Sequence, residues 1–279
     1  MDKNFFGWSL TQRDPDTIKQ LMPFWEFLYK YYFRVQTSGW ENIPDGQVLL
    51  VGSHNGGIAA PDMVMMMYDW FRRFGTERLA YGLMHPIAWT AYQGVTSMAA
   101  KTGAIRANPN MAIKAIESGA SVLVYPGGAE DVFRPYTERN KIKFVGRKGF
   151  IKLALRYSLP IVPLISKGAH ESIFVIADLY EDVKKLHKQG LFPWIFDLDP
   201  KTFPIYLGLP WGLALGPLPN IPLPVPMTTR VCKPIYFDNY GVEASFDRAY
   251  VQKCFDRVVN QMQQELDILY LDKRTAKNW

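Results

Sequence analysis

A histidine lies directly beyond a predicted buried strand near the start of the chain. Residues 47–51 form a short apolar run typical of such a strand, and only Gly52 and Ser53 separate it from His54. In open α/β sheets, ligands bind beyond the carboxyl ends of the strands. A histidine oriented by a carboxylate there can act as a general base toward an alcohol or thiol, and Asp62 could supply that carboxylate. Equally, His54 could be a polar strand end and Asp62 a helix cap.

Two further predicted strands end in residues that can do chemistry. Residues 121–125 lead into Pro126-Gly127-Gly128-Ala129-Glu130-Asp131, and residues 161–165 lead into Ser166-Lys167-Gly168, with Glu171 just beyond. Glycines such as Gly127 and Gly128 let bare backbone N–H groups approach a ligand closely. A cluster of cations precedes the next predicted helix and is either a phosphate site or a solvated face. It comprises Lys141, Lys143, Arg147 and Lys148.

The remaining pattern supplies the elements that must hold these strand ends. Strands alternate with helices at a spacing that predicts βαβ units, and therefore a mostly parallel central sheet flanked by helices. Further strands are expected at 79–84, 102–107 and 230–237; helices are expected at 63–74, 111–118, 149–157 and 247–271. Residues 14–33 predict an amphipathic N-terminal helix with an aromatic face, packed on the core or lying in a membrane interface. We expect a helical segment over residues 1–45 and one α/β domain over residues 46–279.

Composition limits the classes of function. Of 279 residues, 48% are hydrophobic and 14% aromatic, an aromatic share that suits a protein in contact with lipid. The net charge of +6 favours anionic partners, but no basic run of the kind that tracks nucleic acid is present. The two cysteines, Cys232 and Cys254, have neither metal-site spacing nor a disulfide pattern, which favours the cytoplasm. Residues 1–10 lack the apolar region of a signal peptide.

One long segment without charge raises the question of a membrane span. Residues 202–229 contain no charged side chain, but they contain seven prolines. Each proline removes a backbone donor and fixes φ, so a regular spanning helix is excluded. We expect an extended apolar loop that either covers a groove or touches a bilayer.

Taken in order, the three strand ends resemble the glycerolipid (lysophospholipid acyltransferase-like) acyltransferases, most closely the type-two diacylglycerol acyltransferase branch and its bacterial relatives. The resemblance covers roughly residues 46–236. It rests on the histidine before Gly56-Gly57, the block Tyr125-Pro126-Gly127-Gly128-Ala129-Glu130, residues 147–155, and Val162-Pro163-Leu164 with Gly168 and Glu171.

That resemblance implies a glycerol-3-phosphate acyltransferase-like fold and an O-acyltransferase without cofactor. An acyl-CoA or acyl-carrier protein would be the donor, and a peripheral position on the membrane is expected. His54 would be the general base, Asp62 its partner, and Gly127 and Gly128 the oxyanion and acyl-donor region. The implied substrate-binding residues are Glu130, Arg134, Arg147, Lys148, Gly168 and Glu171; no metal is expected.

The sequence departs from the phospholipid-making members in two ways. Their aspartate follows the histidine after four residues, whereas seven separate Asp62 from His54, so Glu130, Asp131 or Glu171 could take its place. Those members also have Glu-Gly-Thr-Arg where this chain has Gly127-Gly128-Ala129-Glu130. Because a carboxylate beside a phosphate is unfavourable, we expect an uncharged acceptor such as diacylglycerol or a long-chain alcohol. Arg106 or Arg134 could restore the missing cation and make lysophosphatidate the acceptor.

Other classes of function make different demands on the sequence. A serine hydrolase of the α/β type needs a Gly-x-Ser-x-Gly elbow, and the chain has none. A dinucleotide enzyme is disfavoured because no Gly-x-Gly-x-x-Gly follows a strand. A non-enzymatic lipid-binding protein stays open, since the methionines of the 63–74 helix and residues 202–229 could line an apolar tunnel. Neither the acceptor, the acyl length nor the oligomeric state follows from the sequence.

Overall fold

The structure, a computed structural model, describes residues 6–91, 93–194 and 199–272. Its helices are α1 Pro15–Phe27, α2 Pro61–Phe74, α3 Pro86–Ala91, α4 Gln93–Lys101, α5 Pro109–Glu117, α6 Gly128–Val132, α7 Gly149–Arg156, α8 Tyr180–Lys188, α9 Val242–Phe246 and α10 Arg248–Leu271. Its strands are β1 Gln36–Ser38, β2 Leu49–Gly52, β3 Ala80–Met84, β4 Ala104–Arg106, β5 Ser121–Val124, β6 Ile161–Lys167, β7 Phe174–Asp178, β8 Pro204–Gly208, β9 Gly212–Leu215 and β10 Thr228–Val231.

A seven-stranded sheet forms the centre, in the order β1-β10-β6-β2-β5-β3-β4. Every neighbouring pair is parallel except β10 and β6. The predicted mostly parallel sheet flanked by helices is therefore confirmed. Strand β2 lies between β6 and β5, where successive connections leave toward opposite sides of the sheet, and such a switch point opens a crevice at the carboxyl ends.

Apolar residues of the central strands alternate between two cores. Leu49 and Val51 of β2 pack on one side of the sheet with residues of α5, α7 and α10. Val48 and Leu50 pack on the other side with residues of α1 and α2. Both faces are covered, which explains why the parallel strands are near-continuous apolar runs in the sequence.

The N-terminal helix forms as predicted and packs against the protein with one face. Asp14 caps α1 by accepting a hydrogen bond from the Asp16 amide, and Pro15 occupies the first helical position. Trp25 and Tyr29 lie buried in the second core, while Phe24, Phe27 and Tyr31 are exposed. The chain then makes a single π-turn, Leu28–Tyr32, and enters the sheet through β1, which pairs with β10.

The prediction for residues 202–229 needs correction. Instead of one extended loop, the segment forms strands β8 and β9, which pair antiparallel with each other, and β8 also pairs with β7. The resulting three-stranded sheet has a small core of its own, made by Val175, Tyr206 and Ala214 together with Val132, Phe133 and Ile173. Prolines are compatible with it because Pro204 begins β8 and the others lie outside the strands.

The last part of the chain differs from its prediction mainly at the strand. Strand β10 spans Thr228–Val231, earlier and shorter than the expected 230–237, while α10 matches the expected long helix. In the part of the chain that the structure describes, no helix has the length and apolar character needed to cross a membrane.

Candidate active site

The turn after β2 is held by a carboxylate on one side and a guanidinium on the other. The backbone N–H of His54 donates to Asp131 Oδ2 at 2.6 Å, and its carbonyl oxygen accepts from Arg134 Nη1 at 2.7 Å. Ser53 Oγ donates to Asp131 Oδ2 at 2.9 Å. The peptide groups on both sides of the His54 α-carbon are thereby fixed against the segment that follows β5.

Asp131 and Arg134 form an ion pair in the protein interior. Arg134 Nη1 lies 2.8 Å from Asp131 Oδ1, and the two side chains are 1% and 0% exposed. Arg134 also donates to the Asn55 side-chain oxygen and to the carbonyl oxygens of Glu138 and Arg139. A buried pair of charges is tolerated only when its remaining hydrogen-bonding groups are satisfied, as they are here.

Arg134, which the sequence analysis expected to bind substrate, is engaged within the protein in this structure. All three of its guanidinium nitrogens face protein acceptors in the interior. It positions the turn that carries His54, and in this structure it presents no nitrogen toward a substrate.

The imidazole of His54 lies on the ring of Tyr125, the last residue before Pro126. Their centroids are 4.1 Å apart and the rings are inclined by 20°. Gly52 makes this stack possible, because a Cβ at that position would overlap the Tyr125 ring. His54 Nδ1 is buried and has no hydrogen-bond partner among the described residues. Burial, together with the nearby Arg134 charge, lowers the pKa of His54 to about 3, so the ring is neutral at neutral pH.

The predicted pairing of Asp62 with His54 is not made in this structure. Asp62 Oδ2 accepts from Asn55 Nδ2 at 3.0 Å and from Ser166 Oγ at 3.2 Å, and its other oxygen accepts from the Met63 amide. Burial raises the pKa of Asp62 to about 7. The side chain thus links Asn55, which follows β2, to Ser166 of β6, and does not bond to the imidazole.

The three alternative carboxylates do not bond to the imidazole either. Asp131 reaches the backbone of His54, Glu130 pairs with Arg147, and Glu171 lies 3.5 Å from Arg139. In the structure, the ring is oriented by its stack on Tyr125 and by its clamped backbone.

The Pro-Gly-Gly turn after β5 packs closely against both neighbouring segments. A Cβ on Gly127 would overlap the Asp131 side chain, so only glycine lets the turn approach the ion pair. Gly128 has a φ of +59°, and a Cβ there would lie 2.9 Å from Arg147 Nη1. The expected oxyanion region, Gly127 and Gly128, thus begins two residues after Tyr125, whose ring supports His54.

Arg147 braces this turn and is neutralised by Glu130. It donates to the carbonyl oxygens of Pro126 at 3.1 Å and Gly127 at 2.5 Å, and two bonds of 2.6 and 2.8 Å join it to the Glu130 carboxylate. The arginine expected to hold a phosphate and the carboxylate expected to repel one are thus partners. Lys148 occupies the cap position of α7 and is partly exposed.

Gly168 and Glu171 follow β6, the third strand end. Gly168 has a φ of +96°, and a Cβ there would overlap the carbonyl oxygen of Pro226, so this glycine lets the proline-rich segment cross the strand end. Burial raises the pKa of Glu171, and its Oε2 is buried without a hydrogen-bond partner among the residues that the structure describes. The structure gives Gly168 a packing role and leaves Glu171 as a partly satisfied carboxylate beside Arg139.

Several residues of the site were given no individual role in the sequence analysis. Asn55, Ser166 and Tyr125 bond to or pack on the predicted residues, and His170 is a second buried imidazole whose two nitrogens have no partner within the described chain. A small cavity of about 10 Å³, the size of one water molecule, lies among Ser53, Asp62, Tyr125, Ser166 and Thr229. The i, i+3 spacing of Asp131, which lies in α6, and Arg134, which lies two residues beyond its end, was the available signal for the ion pair.

Comparison with known proteins identifies the family. Residues 15–243 match the diacylglycerol acyltransferase family. An uncharacterized protein of Mycobacterium tuberculosis is 28% identical over 257 residues, which cover 90% of this chain and 66% of that protein. Human diacylglycerol O-acyltransferase 2 is 29% identical over 133 residues, which cover 42% of this chain and 29% of the human protein.

A solved structure shows partial similarity. The 1-acyl-sn-glycerophosphate acyltransferase PlsC from Thermotoga maritima overlaps with a TM-score of 0.45 and 15% identity, covering 88% of this chain and 79% of that chain. The family assignment rests on the sequence matches alone. The chain belongs to the diacylglycerol acyltransferase family and spans 66% of the length of the M. tuberculosis relative.

The ion pair makes a first prediction about stability. Replacing Asp131 with Asn leaves the Arg134 charge buried and unpaired, and we expect the free energy of unfolding to fall by about 3–5 kcal/mol. Chemical denaturation of both proteins measures this difference. The control is Asp16→Asn, which removes an exposed partner of Lys19 and should change the free energy little. Equal effects of the two substitutions would contradict a stabilising role for the pair.

The raised pKa of Asp62 makes a second prediction. In the folded protein the Asp62 carboxyl keeps its proton up to about pH 7, whereas in the unfolded chain the same carboxyl releases its proton near pH 3.8. Stability contributed by this group therefore falls as pH rises through that window and is constant above it. The Asp62→Asn variant has no group that titrates here, so its free energy of unfolding should not fall in this way. Relative to the wild type it should gain up to about 4 kcal/mol across the window. Parallel curves of unfolding free energy against pH would show an ordinary Asp62 pKa.

Proposed function

We propose that this member of the diacylglycerol acyltransferase family is an O-acyltransferase that moves a fatty acyl group from a thioester to the hydroxyl of a neutral lipid. The observation that supports it best is the neutral imidazole of His54, fixed at the carboxyl end of β2 beside the Pro126-Gly127-Gly128 turn. A neutral imidazole can accept a proton, and a glycine turn can present backbone donors to an oxyanion.

In the proposed reaction, His54 takes the proton of the acceptor hydroxyl through Nε2, because Nδ1 is buried against the protein. The hydroxyl oxygen attacks the thioester carbonyl carbon. The Gly127 N–H stabilises the tetrahedral oxyanion, joined by the Gly128 N–H once it leaves the Tyr125 carbonyl, which it contacts at 3.4 Å in this structure. Collapse of the oxyanion breaks the carbon–sulfur bond and expels the thiolate, which takes the proton back from the imidazolium. The low pKa keeps the imidazole neutral before reaction but makes it a weak base, so the proton is held only briefly and passes on to the thiolate.

A neutral acceptor agrees with the charges around the turn. Arg134 is occupied by Asp131 in the interior, and Arg147 is occupied by Glu130. A phosphate on the acceptor would have to displace a carboxylate from Arg147, at a cost in Coulomb energy. Diacylglycerol or a long-chain alcohol needs no such exchange.

For the donor, we propose that phosphates of coenzyme A or of a carrier-protein arm bind the cations near the start of α7. Lys141 is exposed, Lys148 stands at the cap position, and Lys143 lies 3.3 Å from Glu138. The orphan amides of a helix N-terminus and adjacent lysines together attract phosphate. The thioester is a co-substrate, and the reaction as written uses no cofactor.

We also propose that the protein works in the cytoplasm as a peripheral membrane protein. Helix α1 exposes Phe24 and Phe27, and the adjoining π-turn exposes Tyr31. The three aromatic residues follow one another at spacings of three and four residues. Aromatic side chains of this kind are favoured at the boundary between lipid headgroups and acyl chains.

Removing the imidazole tests the base. His54→Ala should lower kcat for acyl transfer by about 10²–10⁴-fold, because the acceptor proton loses its base. Transfer from radiolabelled acyl-CoA to diacylglycerol measures it, with circular dichroism to confirm folding. His187→Ala is the matched control. That histidine lies on α8 and bonds to the Phe192 carbonyl, so its replacement should not affect turnover. Activity retained in His54→Ala would favour a lipid-binding protein or another base.

Acceptor choice tests the role of Glu130. The wild type should prefer diacylglycerol over lysophosphatidate when both are offered with one acyl-CoA. Glu130→Gln frees Arg147, so the ratio of kcat/KM for lysophosphatidate to that for diacylglycerol should rise about tenfold. Glu138→Gln, which removes a partner of Lys143, is the control. A wild-type preference for lysophosphatidate would overturn the neutral acceptor.

A further inference from the structure

The outer face of the three-stranded sheet is apolar and open to solvent. Successive side chains of β7, β8 and β9 point to opposite sides of this sheet. Val175, Tyr206 and Ala214 point to the small core, and their neighbours point outward. Register places Leu207 opposite both Phe174 and Leu213. The outward residues, which we call the apolar sheet face, are 44–63% exposed. They are Phe174, Ile176, Leu207, Leu213 and Leu215.

Apolar exposure continues into the segments next to this face. Trp211 in the turn between β8 and β9 is 53% exposed, and so is Ile221 beyond β9. An isolated bridge pairs Ile221 with Leu209, and the loop is joined to the N-terminal helical segment, since Tyr32 Oη donates to the Pro222 carbonyl at 2.8 Å. Contiguous exposed apolar surface of this kind marks an interaction site.

We infer that the apolar sheet face is the surface by which the protein docks on a lipid bilayer. A bilayer is favoured over a protein partner because the segment next to this face has no charge and its polar side chains bond within the protein. Residues 202–229 contain no charge. The indole N–H of the exposed Trp211 donates to the Pro219 carbonyl, and the Asn220 side chain bonds to Gly56 and Ala59, so the polar groups of both side chains have partners within the protein. Specific protein interfaces use directional hydrogen bonds and a polar rim, whereas acyl chains need neither.

The position of Asn220 connects this surface with the candidate active site. Its amide donates to the Gly56 carbonyl at 3.1 Å, and its oxygen accepts from the Ala59 amide at 3.2 Å. Gly56 lies two residues beyond His54. The docked face would therefore hold the turn containing His54 at the bilayer, where a neutral lipid acceptor is dissolved. This last step rests on the proposed function, while docking itself does not.

Vesicle binding tests the inference. The full chain is mixed with vesicles of phosphatidylcholine, and of phosphatidylcholine with phosphatidylglycerol, and the bound fraction is measured by flotation. Leu213→Glu with Leu215→Glu places two charges on the apolar sheet face and should weaken binding at least about tenfold on both vesicles. Phe246→Glu, an equally exposed aromatic on α9, is the matched control and should bind like the wild type.

Two further measurements keep the outcomes distinct. A photoreactive lipid in the same vesicles should label peptides containing β8 and β9 in the wild-type protein, which does not depend on the variants folding. Sedimentation velocity without lipid reports self-association. The inference is overturned if the double variant binds vesicles as well as the wild type, or if no label appears on β8 and β9. It is also overturned if the wild type is a dimer that the double variant converts to monomer without loss of vesicle binding. His54→Ala should still bind vesicles, so that loss of acyl transfer alone bears only on the proposed function.

Discussion

The buried ion pair between Asp131 and Arg134 fixes the geometry on which the candidate active site depends. Each charge would be costly to bury alone, and the pair is stable because it also satisfies the backbone polar groups of His54. The turn after β2 and the segment after β5 are therefore held together by charge-assisted hydrogen bonds as well as by packing. Gly127 has to be a glycine for the same reason, since any side chain would displace Asp131.

Much of the fold could be predicted because burial on both faces leaves a strong pattern. Parallel strands such as β2 and β6 are covered by helices on each side, so they are continuous apolar runs between helical periods. The wrong prediction of a loop over residues 202–229 has a related cause. Strands β8 and β9 are apolar on their inner and outer faces alike, so the alternation that identifies an antiparallel strand is absent, and the prolines suggested a loop.

The arrangement of the site was harder to predict than its location. Three strand ends could be placed at one edge of the sheet, but Gly56 and Gly57 both have positive φ and turn the chain sharply after His54. Asp62 then accepts its hydrogen bond from Asn55 and not from the histidine. Asp131 and Arg134 lie about eighty residues further along the chain. A contact of that separation follows from the sheet order, which the sequence does not state.

Charge near the site is turned inward, while apolar surface is turned outward. Arg134 and Arg147 each face a carboxylate of this chain, so the region around the Pro126-Gly127-Gly128 turn has little net charge despite its arginines. The neighbouring β7–β9 sheet exposes apolar side chains where a soluble protein usually places charge. Neither of these two guanidinium groups is free for a charged acceptor in the described part of the chain. The proposed acceptor, a lipid whose reacting group is an uncharged hydroxyl, would meet no such barrier, since its chains could remain in an apolar phase while the hydroxyl approached His54.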